Sequence, residues 1–163
     1  MTELERLITA HQRSGVLVDS NLLLLHLVGL TNRRRITSFK RTNVYTEADF
    51  DLLELLLGHF DRLFTTPQVV TEVSNLGKLY GREFSGFRDL LRHTVEVWEE
   101  HLIDSQTATQ HPLFARLGVT DAAIAVSCSQ GPLVLTDDLD LYGALTTRAM
   151  PAINFNHLRD WTS

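Results

Sequence analysis

Apolar positions along this chain fall into two patterns. Val16-Leu17-Val18 and Leu133-Val134-Leu135 are short, unbroken apolar runs, as expected of strands buried on both faces of a parallel sheet. Elsewhere apolar residues recur three and four positions apart, which lines one face of a helix. Leu4, Leu7, Ile8 and His11 predict a helix over residues 3–13, stopped by Gly15, and Phe50, Leu53, Leu56, Leu57 and Phe60 predict another over 47–60. A short strand is expected at 62–65. Thr66-Pro67 then marks a helix start, with threonine as the cap and proline in the first turn, and that helix runs to Gly77. A helix over 84–101 follows. Thr120 is expected to cap a helix over 121–127 that is apolar nearly all round and therefore buried. After the Gly131-Pro132 break come the Leu133 strand, a helix through Arg148, a last strand over 152–155 and a short tail helix. Strands alternating with helices, with no repeat, low-complexity stretch or linker, predict one three-layer α/β/α domain over residues 1–163. Its central sheet is mainly parallel, and an N-terminal helix at about 2–14 precedes the first strand.

Composition adds bounds to that picture. An apolar content of 44% supplies a real core and excludes a disordered chain. The one cysteine, Cys128, lies in an apolar run and reads as a small buried hydrophobe; no disulfide framework or zinc motif is available. No secretory leader or spanning helix is visible, since the greasiest run, residues 22–30, is short and broken by His26. A reducing cytoplasmic location is the expectation. The net charge of −5, from 15 basic and 20 acidic residues, argues against a general nucleic-acid coat protein. It leaves room for a local basic patch, and Arg33, Arg34, Arg35, Lys40 and Arg41 form one with no acid among them, inside a segment at about 31–46.

Four acids do not read as ordinary solvated surface. Asp19 and Asp138 follow apolar strands, at the edge where open α/β sheets bind ligands. Glu72 falls three after Val69, one before Val73 and four before Leu76, which puts it on the core-facing stripe of its helix, where a carboxylate is costly unless paired or ligating. Asp121 opens the buried helix, where the helix N-terminus tolerates negative charge. Each acid alone is also explained as a cap or a turn residue. Together they form a set without an adjacent Lys or Arg, and gathered carboxylates repel unless protons or a cation intervene. Mg²⁺ and Mn²⁺ prefer such oxygen ligands.

These residues carry a resemblance. Val18-Asp19-Ser20-Asn21 after the first strand, Val70-Thr71-Glu72-Val73 on a helix, Val119-Thr120-Asp121-Ala122 opening a later helix, and Leu135-Thr136-Asp137-Asp138-Leu139-Asp140-Leu141 after a late strand resemble the ordered motifs of PIN-domain ribonucleases, in particular VapC-type toxins. Pro151-Ala152-Ile153-Asn154-Phe155 resembles that family's last strand. The resemblance implies a PIN-like fold and a metal site of Asp19, Glu72, Asp121 and Asp138. It implies Asn21 and Thr136 as polar residues orienting that shell and Asp140 as a further acid, with Asp137 on a variable position. It further implies hydrolysis of RNA phosphodiesters with Mg²⁺ or Mn²⁺, an antitoxin protein as partner in a toxin–antitoxin pair, and a homodimer. The basic segment becomes the candidate phosphate contact, and a single-stranded or looped RNA the expected substrate.

Other chemistries are less well supplied. The seven histidines form no metal motif; His93 and His101 share the helix expected at 84–101 but lie eight apart. Trp98 and Trp161 read as packing residues. No glycine-rich phosphate loop is present. A haloacid-dehalogenase-type phosphatase would carry a second aspartate where Asn21 stands. A catalytically silent PIN-like module binding RNA or protein is the remaining alternative, and the intact acid set counts against it.

Overall fold

The computed structural model describes residues 1–160. The strands are β1 (Val16–Val18), β2 (Leu63–Thr65), β3 (Glu99–Glu100), β4 (Leu133–Thr136) and β5 (Ala152–Asn154). They pair in the order β3-β2-β1-β4-β5, parallel throughout. The helices are α1 (Glu3–His11), α2 (Ser20–Thr31), α3 (Glu47–Leu57), α4 (Pro67–Leu76), α5 (Gly81–Val97), α6 (Ser105–Gln110), α7 (Phe114–Leu117), α8 (Val119–Cys128), α9 (Leu139–Thr147) and α10 (Phe155–Arg159). The result is the expected α/β fold, a central parallel sheet flanked by helices.

Local chemistry sets the helix starts. Thr2 and Thr46 each close a capping box, with Glu5 and Asp49 accepting the cap's own N–H. Thr66 accepts from the Val69 N–H, with Pro67 in the first turn, as the sequence predicts. Gly15 turns the chain from α1 into β1 at φ +92°; a Cβ there would stand 2.5 Å from the Arg62 carbonyl oxygen. β1 is wholly buried, and it pairs with β2 on one side and β4 on the other. Behind it α2 buries Leu22, Leu23, Leu24, Leu25, Leu27 and Val28, each contributing on the order of 2 kcal/mol by burial. That anchorage fixes the position of Asp19, the residue between β1 and α2.

The order of strands matters for the site. From β1 the chain steps outward to β2 and β3, then crosses back to β4 on the opposite side of β1 and on to β5. Parallel neighbours need crossover connections, and these are right-handed, so reversing direction sends helices to opposite faces of the sheet. The reversal leaves a crevice at the C-terminal ends of β1 and β4, the place where doubly wound sheets take ligands.

Three local expectations are corrected. The helix expected over 84–101 ends at Val97, because Trp98 turns extended and Glu99–Glu100 pair with Phe64 and Thr65 as the edge strand β3. His101 therefore leaves the helix, and its N–H donates to the Thr65 carbonyl at 3.0 Å. Gly118, at φ +89°, caps α8 in place of Thr120, so Thr120 and Asp121 lie within the first turn. Helices α6 and α7 were not anticipated. Trp98 does pack, its ring 5.5 Å from that of His26, whereas Trp161 lies outside the described residues. Cys128 is buried, as expected, and burial pushes its thiol up to about 11. No helix among the described residues is long and apolar enough to cross a membrane.

Candidate functional site

The register of β1 against β4 pairs Val18 with Leu135, so the residues that follow, Asp19 and Thr136, meet side by side. The Asp19 N–H donates to the Leu135 carbonyl at 2.9 Å. Its carboxylate caps α2, accepting from the Ser20 N–H at 2.7 Å, and its other oxygen accepts from the Thr136 hydroxyl at 2.6 Å. Thr136 in turn accepts the Asp138 N–H at 2.9 Å, so one buried hydroxyl links the two strand-end acids. Asp138 caps α9, accepting from the N–H groups of Asp140 and Leu141 at 2.8 and 3.2 Å.

Helix α8 brings Asp121 in its first turn, and α4, packed against α8, brings Glu72. Electrostatics show that these acids feel one another. Asp19, 6% exposed, has its carboxyl raised to about 6. Burial is the main cause, opposed by the bonds from Thr136 and Ser20 and reinforced by the charges of Asp137 and Asp138. The Asp121 carboxyl rises to about 7, again chiefly by burial, then by the negative charges of Asp19, Asp138 and Glu72. Asp121 thus lies within electrostatic reach of Asp19, Asp138 and Glu72, and no cation enters the balance at either carboxyl.

The donor chemistry suits a hard divalent cation: carboxylate oxygens, no thiolate or imidazole, and two carboxyls, Asp19 and Asp121, pushed up by burial and by neighbouring negative charge. As the side chains stand, no three His, Cys, Asp or Glu residues among those described converge closely enough to hold an ion. Asp19 and Asp138 direct oxygens to the Thr136 hydroxyl and to helix N–H groups. The Ser20 hydroxyl, next to Asp19 in the chain, is buried without a partner.

Glu72 requires a correction. It is exposed, not turned into the core. Val69 and Val73 are buried, but Leu76 is only half-buried, so the true stripe is narrower than its spacing suggests and Glu72 flanks it. From there it borders a groove of about 410 Å³ between α4 and the start of α8, with Gln68, Thr71, Asn75, Val119 and Thr120. Asp140 is also exposed and pairs with Arg116 at 3.7 Å.

The basic segment is partly committed within the chain. Arg33 pairs with Asp51 and with Glu47, and Arg35 with Glu83 at 2.9 Å. Arg34, Lys40 and Arg41 are exposed.

Tyr45 escaped the sequence reading, and Asp137, there assigned only to a variable position, is held at three points. Asp137 accepts from the Asn21 amide at 3.2 Å and from the Tyr45 hydroxyl, and its carbonyl accepts from the Asn156 amide at 2.9 Å. Tyr45 is buried, its phenol pushed up by burial and by Asp137. Asp137 was visible beside Asp138, but nothing in the sequence signals Tyr45, 92 positions away. Asn21, expected to orient the metal-binding acids, instead contacts Asp137, and Thr136 contacts Asp19 directly. No family model and no curated protein matches this chain.

Proposed function

We propose that this chain is a metal-dependent endoribonuclease of the PIN type, holding Mg²⁺ or Mn²⁺ through Asp19, Glu72, Asp121 and Asp138. The observation that carries the reading is the gathering of acids from four separate segments at the switch point of a parallel sheet. When bound, the ion supplies a water of lowered pKa and neutralises charge on a phosphate. Asp19 is held in one orientation by Thr136 and the Ser20 N–H, which sets where its oxygens can act. Asp121, raised chiefly by burial and then by the charges of Asp19, Asp138 and Glu72, would hold its proton less tightly with a cation among these acids. The groove beside Glu72 offers a path for a single strand, and Arg34, Lys40 and Arg41 supply charge for its flanking phosphates.

RNA as substrate rests on the motif resemblance, as do the toxin role, an antitoxin partner, a homodimer and a cytoplasmic location. A silent RNA- or protein-binding module is favoured by one observation: Asp19 and Asp138 already serve as caps of α2 and α9. Incubating the protein with a mixed RNA pool, in Mg²⁺, Mn²⁺ or EDTA, separates the two. The nuclease reading expects cleavage that EDTA abolishes and Asp19→Asn loses. Equal cleavage by the variant, or none by either protein, refutes it.

A further inference from the structure

The segment at 31–46 joins α2 to α3, and its composition singles it out only as a basic patch. Its last residues do something else. Tyr45 is 2% exposed, and its hydroxyl donates to one oxygen of Asp137 while the Asn21 amide donates to the other. Behind Tyr45, the Arg159 guanidinium lies 5.0 Å from the ring centroid, donates to the Val44 carbonyl at 2.7 Å and pairs with Asp49 at 3.0 Å. Asn156, one turn earlier on α10, donates to the Asp137 carbonyl. Asp137 is therefore gripped through both carboxylate oxygens and its backbone, by side chains from α2, the 31–46 segment and α10. Its neighbours in the chain are Thr136 and Asp138, both part of the acid cluster, and its charge acts on Asp19.

A surface aspartate in a post-strand turn has no need of such fixing. A buried phenol turned onto a carboxylate fixes the direction of that carboxylate, as outer partners of metal-ligating groups do. We propose that Tyr45 is a positioning residue of the acid site, and that through it Asp137 supplies a fixed negative charge to the cation bound there. The 31–46 segment is then a structural wall of the site as well as a carrier of exposed cations. This rests on the metal reading above, but not on RNA as the substrate.

The test is Mn²⁺ binding to the full chain, followed by the paramagnetic resonance signal of free Mn²⁺, with thermal melts alongside. Tyr45→Phe keeps the ring and removes the bond; Asp137→Asn keeps the shape and removes the charge. Each is expected to weaken Mn²⁺ binding on the order of 10-fold, with melting within a few degrees of wild type. Asp89→Asn, on the exposed face of α5, should bind as wild type does. If Tyr45→Phe lowers melting severely, Asp137→Asn alone decides. Wild-type binding with both variants within twofold of it, or tighter binding by Tyr45→Phe, overturns this inference and leaves the metal reading standing. No binding by the wild type overturns both.

Discussion

Replacing Asp19 by asparagine should stabilise the metal-free protein at neutral pH and do little at acid pH. The carboxyl moves from an ordinary value of 3.8 in the unfolded chain to about 6 in the fold. Between those values the folded state keeps a proton that the unfolded state releases. The Asp19 contribution is therefore most favourable below about pH 4 and falls as pH rises to about 6, and its full cost, about 3 kcal/mol, is present above that. Asp121 acts in the same direction up to about pH 7, by less than its shift implies because it is partly exposed. Asparagine matches the shape, keeps the oxygen that accepts the Ser20 N–H, and carries no charge to desolvate. Urea denaturation in EDTA at pH 4.5 and pH 7.5 measures the difference. The variant should gain about 2 kcal/mol over wild type between the two, since about a third of the cost is already present at pH 4.5, equivalent to roughly 4–8 °C in melting temperature for a chain of this size. A difference that does not change with pH, or a variant less stable at both, would refute the idea that burial and neighbouring acids strain this carboxylate.

Other predictions follow from single contacts. Gly15→Ala combines positive φ with a 2.5 Å approach to the Arg62 carbonyl and should cost at least about 1–3 kcal/mol in urea denaturation. Changing Arg34, Lys40 and Arg41 together to alanine should reduce the salt dependence of single-stranded RNA binding, lowering the slope of log affinity against log salt by about 2; an unchanged slope removes the segment from the RNA path. Cys128, buried with its thiol pushed up to about 11, should react with a thiol reagent only at the rate of unfolding.

Much of the fold was legible because its inner strands carry it in their side chains. Val16-Leu17-Val18 and Leu133-Val134-Leu135 can be nothing but buried, and Thr66-Pro67 announces a helix by its capping chemistry. β3 was not legible: Glu99 and Glu100 form an edge strand through backbone pairing and the Arg62–Glu99 ion pair, so neither apolar nor alternating character marks it. Helix α6, Ser-Gln-Thr-Ala-Thr-Gln, buries only Ala108 and shows no stripe to detect. At the site, Asp19 and Asp138 were readable from their position after strands, and Thr136 from the motif it shares with Asp138. Glu72 was placed near the other acids for a wrong reason. Counting positions put it on a buried stripe, but the fold brings it to the rim, where α4 passes the start of α8. The Tyr45–Asp137 contact depends on how the 31–46 segment folds back, which no local pattern encodes.

The central claim is that separate acids form one site short of positive charge, and the ionisation of Asp121 reports on it most directly. Carbon-detected nuclear magnetic resonance of the aspartate carboxyls, titrated with pH, would follow that residue in EDTA and in saturating Mg²⁺. The account predicts a midpoint near 7 in EDTA and a fall well below it when Mg²⁺ is added. A midpoint near the ordinary value in EDTA, or one that Mg²⁺ leaves unmoved, would contradict it.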